Sequence, residues 1–146
     1  MVDANIVENI FTMIRMNQIK KGDYFIANNH GDLKIGEVVG LNAYNNQVCI
    51  DEGITEYWYD LNQLTPITLS EKELYNLKFT KINNIDGTVK YSKGAFRMLI
   101  PKEGDFSKMK IWYRDEYRMF FEPITVDQLQ NHFLEMTKVH LNGDAF

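Results

Sequence analysis

The chain has 146 residues, 45% hydrophobic and 25% charged. That is enough for one globular domain with a real core and too apolar for a wholly disordered protein. Its net charge of −4 excludes an overall field that draws in nucleic acid or anionic membrane, its single cysteine, Cys49, excludes an intramolecular disulfide, and no apolar stretch approaches the roughly 18–20 residues of a bilayer-spanning helix.

The N-terminal "MVDANIVENIFTMIRMNQIKK" lacks the basic start and small-residue cleavage site of a signal peptide. Asp3 is placed to cap a helix, and Ile6, Val7, Ile10, Phe11 and Ile14 recur at three- and four-residue spacing, a helical stripe. An amphipathic helix over residues 1–18, ending near Asn17, is expected. Its stripe, Ile6, Ile10, Phe11 and Ile14, needs a cover: the β-structure that follows, a second copy, or a protein partner.

From Lys21 the period changes. "KGDYFIANN", "LKIGEVVGLNAY", "QVCID" and "TEYWYDL" read as short strands, separated by the turn-rich "NNHGD" and by Asn45–Asn46. Gly36 and Gly40 inside a strand predict a bulge or bend. Residues 19–65 are therefore expected to form a small, curved, SH3-like sheet or barrel.

In "TPITLSEKELYNLKF", Pro66 keeps the chain extended. Ser70 and Glu73 have capping-box spacing, and Leu69 and Leu74 are placed as a hydrophobic staple, so a short helix from Glu71 to about Leu77 follows. "KFTKINNI" and "TVKYS" flank the hairpin signal Asp86–Gly87; "FRMLIP" is a further strand; "KMKIWYR" and "YRMFFEP" flank "DE" as a last hairpin. Thr125 and Gln128 then open a helix expected over 125–142, with Leu129, Phe133 and Met136 on its apolar face and Gly143 at its end. The fold class expected is α+β in one domain over 1–146: a helix (1–18), the SH3-like part (19–65), a short helix with hairpins (66–124) and a C-terminal helix.

Charge is unevenly spread. Residues 71–118 hold 11 basic and 7 acidic side chains, whereas residues 1–70 hold 4 and 9. In the last hairpin Lys108, Lys110, Arg114 and Arg118 interleave with Trp112, Tyr113 and Tyr117. Cations neutralise phosphates and exposed rings stack on bases, so Lys108, Lys110, Trp112, Arg114 and Arg118 are candidate nucleic-acid-binding residues. The plain alternative is a two-faced strand with rings inward and charges outward.

Catalytic patterns are scarce. His132 and Glu135 share a helix face without a third metal ligand, Cys49 sits between Val48 and Ile50 as a buried thiol would, and neither a G-x-S-x-G elbow nor a phosphate-cradling glycine loop occurs. No metal, cofactor or small-molecule substrate is expected, and no enzymatic activity.

Two stretches carry a family resemblance. Leu64, Pro66, Ile67, Leu69, Glu71, Leu74 and Phe79, then Leu129, Gln130, Asn131, Phe133 and Thr137, are similar to the "L-x-P-I-P-L-T-E-E-I-L-x-x-x-G-F" and "H-x-L-Q-N-L-Y-F-x-L-T-G-x-E-L" segments of small uncharacterised proteins of Bacteroidetes phages and prophage-like elements. Thr68, Lys78 and Asp127 depart from that pattern at a proline, a glycine and a histidine. The resemblance implies a phage or prophage setting, in a bacterial cytoplasm or a virion, and supplies no catalytic residue. The expected function is a non-enzymatic protein-binding or adaptor module, with nucleic-acid binding through residues 108–121 and an enzyme with a dispersed site as alternatives.

Overall fold

Ten strands in two separate antiparallel sheets dominate the structure, a computed structural model that describes residues 14–142. The chain divides into two compact units, one ending at Ile67 and the other beginning at Thr68.

The first unit is a five-stranded sheet of order β4-β3-β2-β1-β5, built from β1 (Tyr24–Asn29), β2 (Asp32–Asn42), β3 (Gln47–Asp51), β4 (Glu56–Asp60) and β5 (Leu64–Thr65). His30 and Gly31 join β1 to β2 with φ of 52° and 93°, the backbone of a type I′ turn whose twist suits a hairpin. Phe25, Ala27, Val38, Val48, Ile50, Tyr59 and Leu64 fill the core face, and Ile14 and Ile19 join them. Burial of such aliphatic and aromatic side chains contributes roughly 1.5–3 kcal/mol each. Gly36 pairs with Phe25 on this face, and a β-carbon there would lie 2.3 Å from Ile50 Cγ2 and 2.7 Å from the Asp51 carbonyl oxygen. The expected irregularity in β2 is also present, as a register shift between Val38 and Gly40.

The second unit is a sheet of order β10-β9-β8-β7-β6, from β6 (Thr80–Asn83), β7 (Val89–Lys93), β8 (Phe96–Ile100), β9 (Met109–Tyr113) and β10 (Glu116–Phe120). One face is the core: Val89, Tyr91, Phe96, Met98, Ile100, Met109 and Ile111 are all buried. Helix α2 (Val126–Thr137) lies against it, with Phe133 set on Phe96 at 4.8 Å between ring centroids. Val126, Leu129, Phe133 and Met136 supply its buried stripe. The short helix α1 (Glu71–Asn76) buries Leu74.

These findings correct the α+β expectation. Among the described residues the structure is mostly β, two antiparallel five-stranded sheets with one helix longer than two turns. Period-two burial in β7, β8 and β9, with β6 and β10 paired at the two edges, builds a sheet of its own, equal in strand number to the first, rather than hairpins attached to one barrel. The predicted N-terminal helix lies for its first 13 residues outside the described residues; its expected end near Asn17 is not α-helical, since Arg15 is extended (φ −105°, ψ 140°) and Met16–Gln18 form a single 3-10 turn. Ser70 makes no side-chain cap bond, so the predicted capping box does not close, and Glu73 Oε2 is buried without a hydrogen-bond partner. At α2 the predicted reciprocal bond is made, Thr125 N donating to Gln128 Oε1 at 2.9 Å. That helix stops at Thr137, short of 142, because Lys138 turns left-handed (φ 63°) and donates its N–H to the Leu134 carbonyl.

Candidate nucleic-acid interface

The face of the second sheet turned away from α2 gathers cations and rings from several strands. Arg114 and Asp115 form the two-residue turn of the last hairpin, so Tyr113 pairs with Glu116, Trp112 with Tyr117 and Ile111 with Arg118. Side chains of directly paired residues share a face. One outward row therefore runs Thr80, Ser92, Arg97, Trp112, Tyr117 across all five strands, and the next runs Ile82, Lys90, Leu99, Lys110, Met119. None of these positions holds a carboxylate.

The Lys110 ammonium lies 4.7 Å from the Tyr117 ring centroid and 5.8 Å from that of Trp112, a cation–π arrangement that keeps positive charge at ring level. Tyr117 is 61% exposed and Met119 52%. Beside this second row a shallow groove of about 190 Å³ is lined by Leu99, Met119 and Phe121 together with Lys108 and Lys110. Phe121 itself is 74% exposed.

The predicted binding residues part company here. Lys110 and Trp112 come together on the outward face, and Lys108 lines the groove with Lys110. Arg114 sits in the turn at φ 54° with its guanidinium 5.1 Å from the Tyr113 ring. Arg118 points the other way, toward α2: it donates to Glu116 Oε1 at 3.0 and 3.2 Å, contacts His132 Nδ1 at 2.7 Å and lies 3.6 Å from Glu135. Burial first, then the Arg118 charge, hold the His132 pKa below its ordinary value. Arg118 thus fastens the scaffold.

Two cations of this face, Lys90 and Arg97, were outside the sequence reading, because they stand on β7 and β8 and join the hairpin only through strand pairing. The residue that could have led to them is Trp112, whose ring needs neighbours on its own face. Of the N-terminal stripe, Ile6, Ile10 and Phe11 lie outside the described residues, while Ile14 is 8% exposed within the first core.

Other polar groups are engaged in scaffolding. Lys81 bridges Glu71, at 2.6 Å, and Glu103, and Tyr91 donates to Glu71 at 2.9 Å; the Lys81 bond first and the Tyr91 bond second hold the Glu71 carboxyl below the usual range. Among the described residues, no group of three or more His, Cys, Asp or Glu could hold a metal ion, and no helix is long and apolar enough to cross a membrane. Comparison with protein-family models, curated proteins and solved structures finds no match to this chain.

Proposed function

We propose that this chain is a non-enzymatic module that binds single-stranded nucleic acid on the outward face of its second sheet, in a phage or prophage setting, within the host cytoplasm or a virion. One observation carries the reading: Arg97, Lys90 and Lys110 share a carboxylate-free face with Trp112 and Tyr117. Cations of this kind track a phosphate backbone, and exposed rings offer stacking platforms to bases of any identity. The net charge of −4 works against long-range attraction, so binding is expected to be local and strongly salt-dependent.

Fluorescence anisotropy with a labelled thymidine oligonucleotide tests the reading. Wild-type protein should bind at low salt. Arg97→Ala and Lys90→Ala should each weaken binding and reduce the slope of log affinity against log salt by about 1. No binding of single-stranded DNA or RNA at low ionic strength ends it.

A second reading, self-association through the first sheet, is favoured by the exposure of Leu33 (63%) and Trp58 (52%). Light scattering behind size-exclusion chromatography checks it. A mass equal to one chain at high protein concentration removes it.

A further inference from the structure

We infer that the groove between Leu99, Met119 and Phe121 receives one unstacked nucleobase, next to a base stacked on Trp112 and Tyr117; this deepens the nucleic-acid reading and rests on it. The groove's size sets the occupant. At about 190 Å³ it is smaller than the roughly 300–1,000 Å³ of sites that enclose drug-sized ligands, and it suits one planar ring system. Its walls fit a flat, polarisable guest: an exposed phenyl ring at Phe121, a thioether at Met119 and a branched aliphatic at Leu99. Lys108 and Lys110 also line it, and their ammonium groups can reach the phosphates on either side of an inserted base.

Position supports the same occupant. Trp112 and Lys110 are two residues apart on β9, as are Tyr117 and Met119 on β10, so the ring row and the groove row are separated by roughly 7 Å along the strands. A base in the groove and a base on the rings therefore belong to neighbouring nucleotides of a strand whose own stacking is broken. A duplex keeps its bases stacked and paired and offers none to the groove.

Chemistry also limits what is read. Thr88 is the hydroxyl at the groove, and it is already engaged, donating to Asp86 Oδ1 at 2.6 Å and accepting from Asn84 Nδ2 at 2.9 Å. The walls offer no other side-chain hydroxyl or amide to a base edge, so the groove selects an unstacked base by shape and tolerates its identity.

The test uses the full chain, a twelve-residue thymidine oligonucleotide, the same strand with one central 2-aminopurine, and its duplex. Phe121 and Met119 are exposed, so Phe121→Ala and Met119→Ala leave the core intact; the double variant should weaken single-strand binding about tenfold or more and abolish the 2-aminopurine fluorescence change seen with wild type. Arg97→Ala should weaken binding and leave that change in the bound state. If wild type binds and Arg97→Ala weakens it while the groove variant stays within twofold, the groove inference is overturned and the interface reading stands. Equal affinity for duplex, or equal competition by poly-glutamate, also overturns the inserted base. No binding of any strand by wild type overturns both.

Discussion

Arg118 Nη1 and His132 Nδ1 stand 2.7 Å apart, tying β10 to α2 on the side of the second sheet opposite Trp112 and Tyr117. With the guanidinium as donor, Nδ1 must be the unprotonated, accepting nitrogen of a neutral imidazole. The His132 ring also lies 4.7 Å from that of Phe120, so the pair closes one edge of the core between sheet and helix.

Arg118→Ala is therefore expected to act on stability. Its loss strips a charge-assisted hydrogen bond from a half-buried histidine, at a cost of about 1–3 kcal/mol. Oligonucleotide affinity of the folded variant should stay within twofold of wild type, whereas Arg97→Ala lowers affinity and barely changes stability. Urea titration and anisotropy on the same two variants check the split. A strong affinity loss in Arg118→Ala at unchanged stability contradicts the assignment.

The same pair sets a pH dependence. Folding lowers the His132 pKa from about 6.5, chiefly through burial and secondly through Arg118, with Glu135 opposing. In the window below 6.5 the unfolded chain carries more protons at this site than the folded one, so stability falls as pH drops through that window. The urea midpoint of wild type should decrease between pH 7.5 and 5.5. Subtracting the profile of His132→Gln should remove part of that decrease, since glutamine accepts from Arg118 without titrating. Parallel profiles would show that His132 does not contribute.

Why Arg118 departs from the other cations was legible in the sequence. Lys108, Lys110, Trp112 and Arg114 share parity, so one strand must put them on one face, and Trp112 and Tyr113, being adjacent, cannot both turn inward. Crossing a two-residue turn reverses parity, and this holds whether the turn is Asp115–Glu116, as expected, or Arg114–Asp115, as observed. Strand positions, α1 and the start of α2 were readable from local period and capping residues. The gathering of ten strands into two sheets was not, because pairing such as Arg97 with Trp112 is non-local and leaves no spacing signal. Nor was the open Ser70 cap: residue types permit that bond, and tertiary packing decides whether it forms.

Gly36 provides a test of the first core. Any β-carbon there meets Ile50 Cγ2 at 2.3 Å and the Asp51 carbonyl at 2.7 Å, and a backbone carbonyl inside a sheet cannot swing aside as a side-chain tip can. Gly36→Ala is expected to cost about 3 kcal/mol or more, at or above the upper end for overpacking. Gly31→Ala meets no atom within 4 Å and suffers only its φ of 93°, a strain of about 1–2 kcal/mol. Urea midpoints should rank the two in that order, and the reverse order would contradict the packing assigned to β2.

Cys49 should be inert while the first sheet is closed. It is 5% exposed, and burial, followed by the nearby Glu56 and Asp51 carboxylates, raises its pKa above the ordinary thiol value. The Glu56 carboxylate lies 4.0 Å from Sγ, and the paired strand carries Trp58 directly opposite Cys49. Only the thiolate attacks disulfide reagents, so at neutral pH both protonation state and access suppress reaction. Labelling with an aromatic disulfide should be slower by orders of magnitude in native protein than in urea. Trp58→Ala should accelerate it by widening access, and Glu56→Gln should accelerate it more modestly by removing one repelling charge. Native labelling at the denatured rate would mean that β3 and β4 do not stay paired in solution.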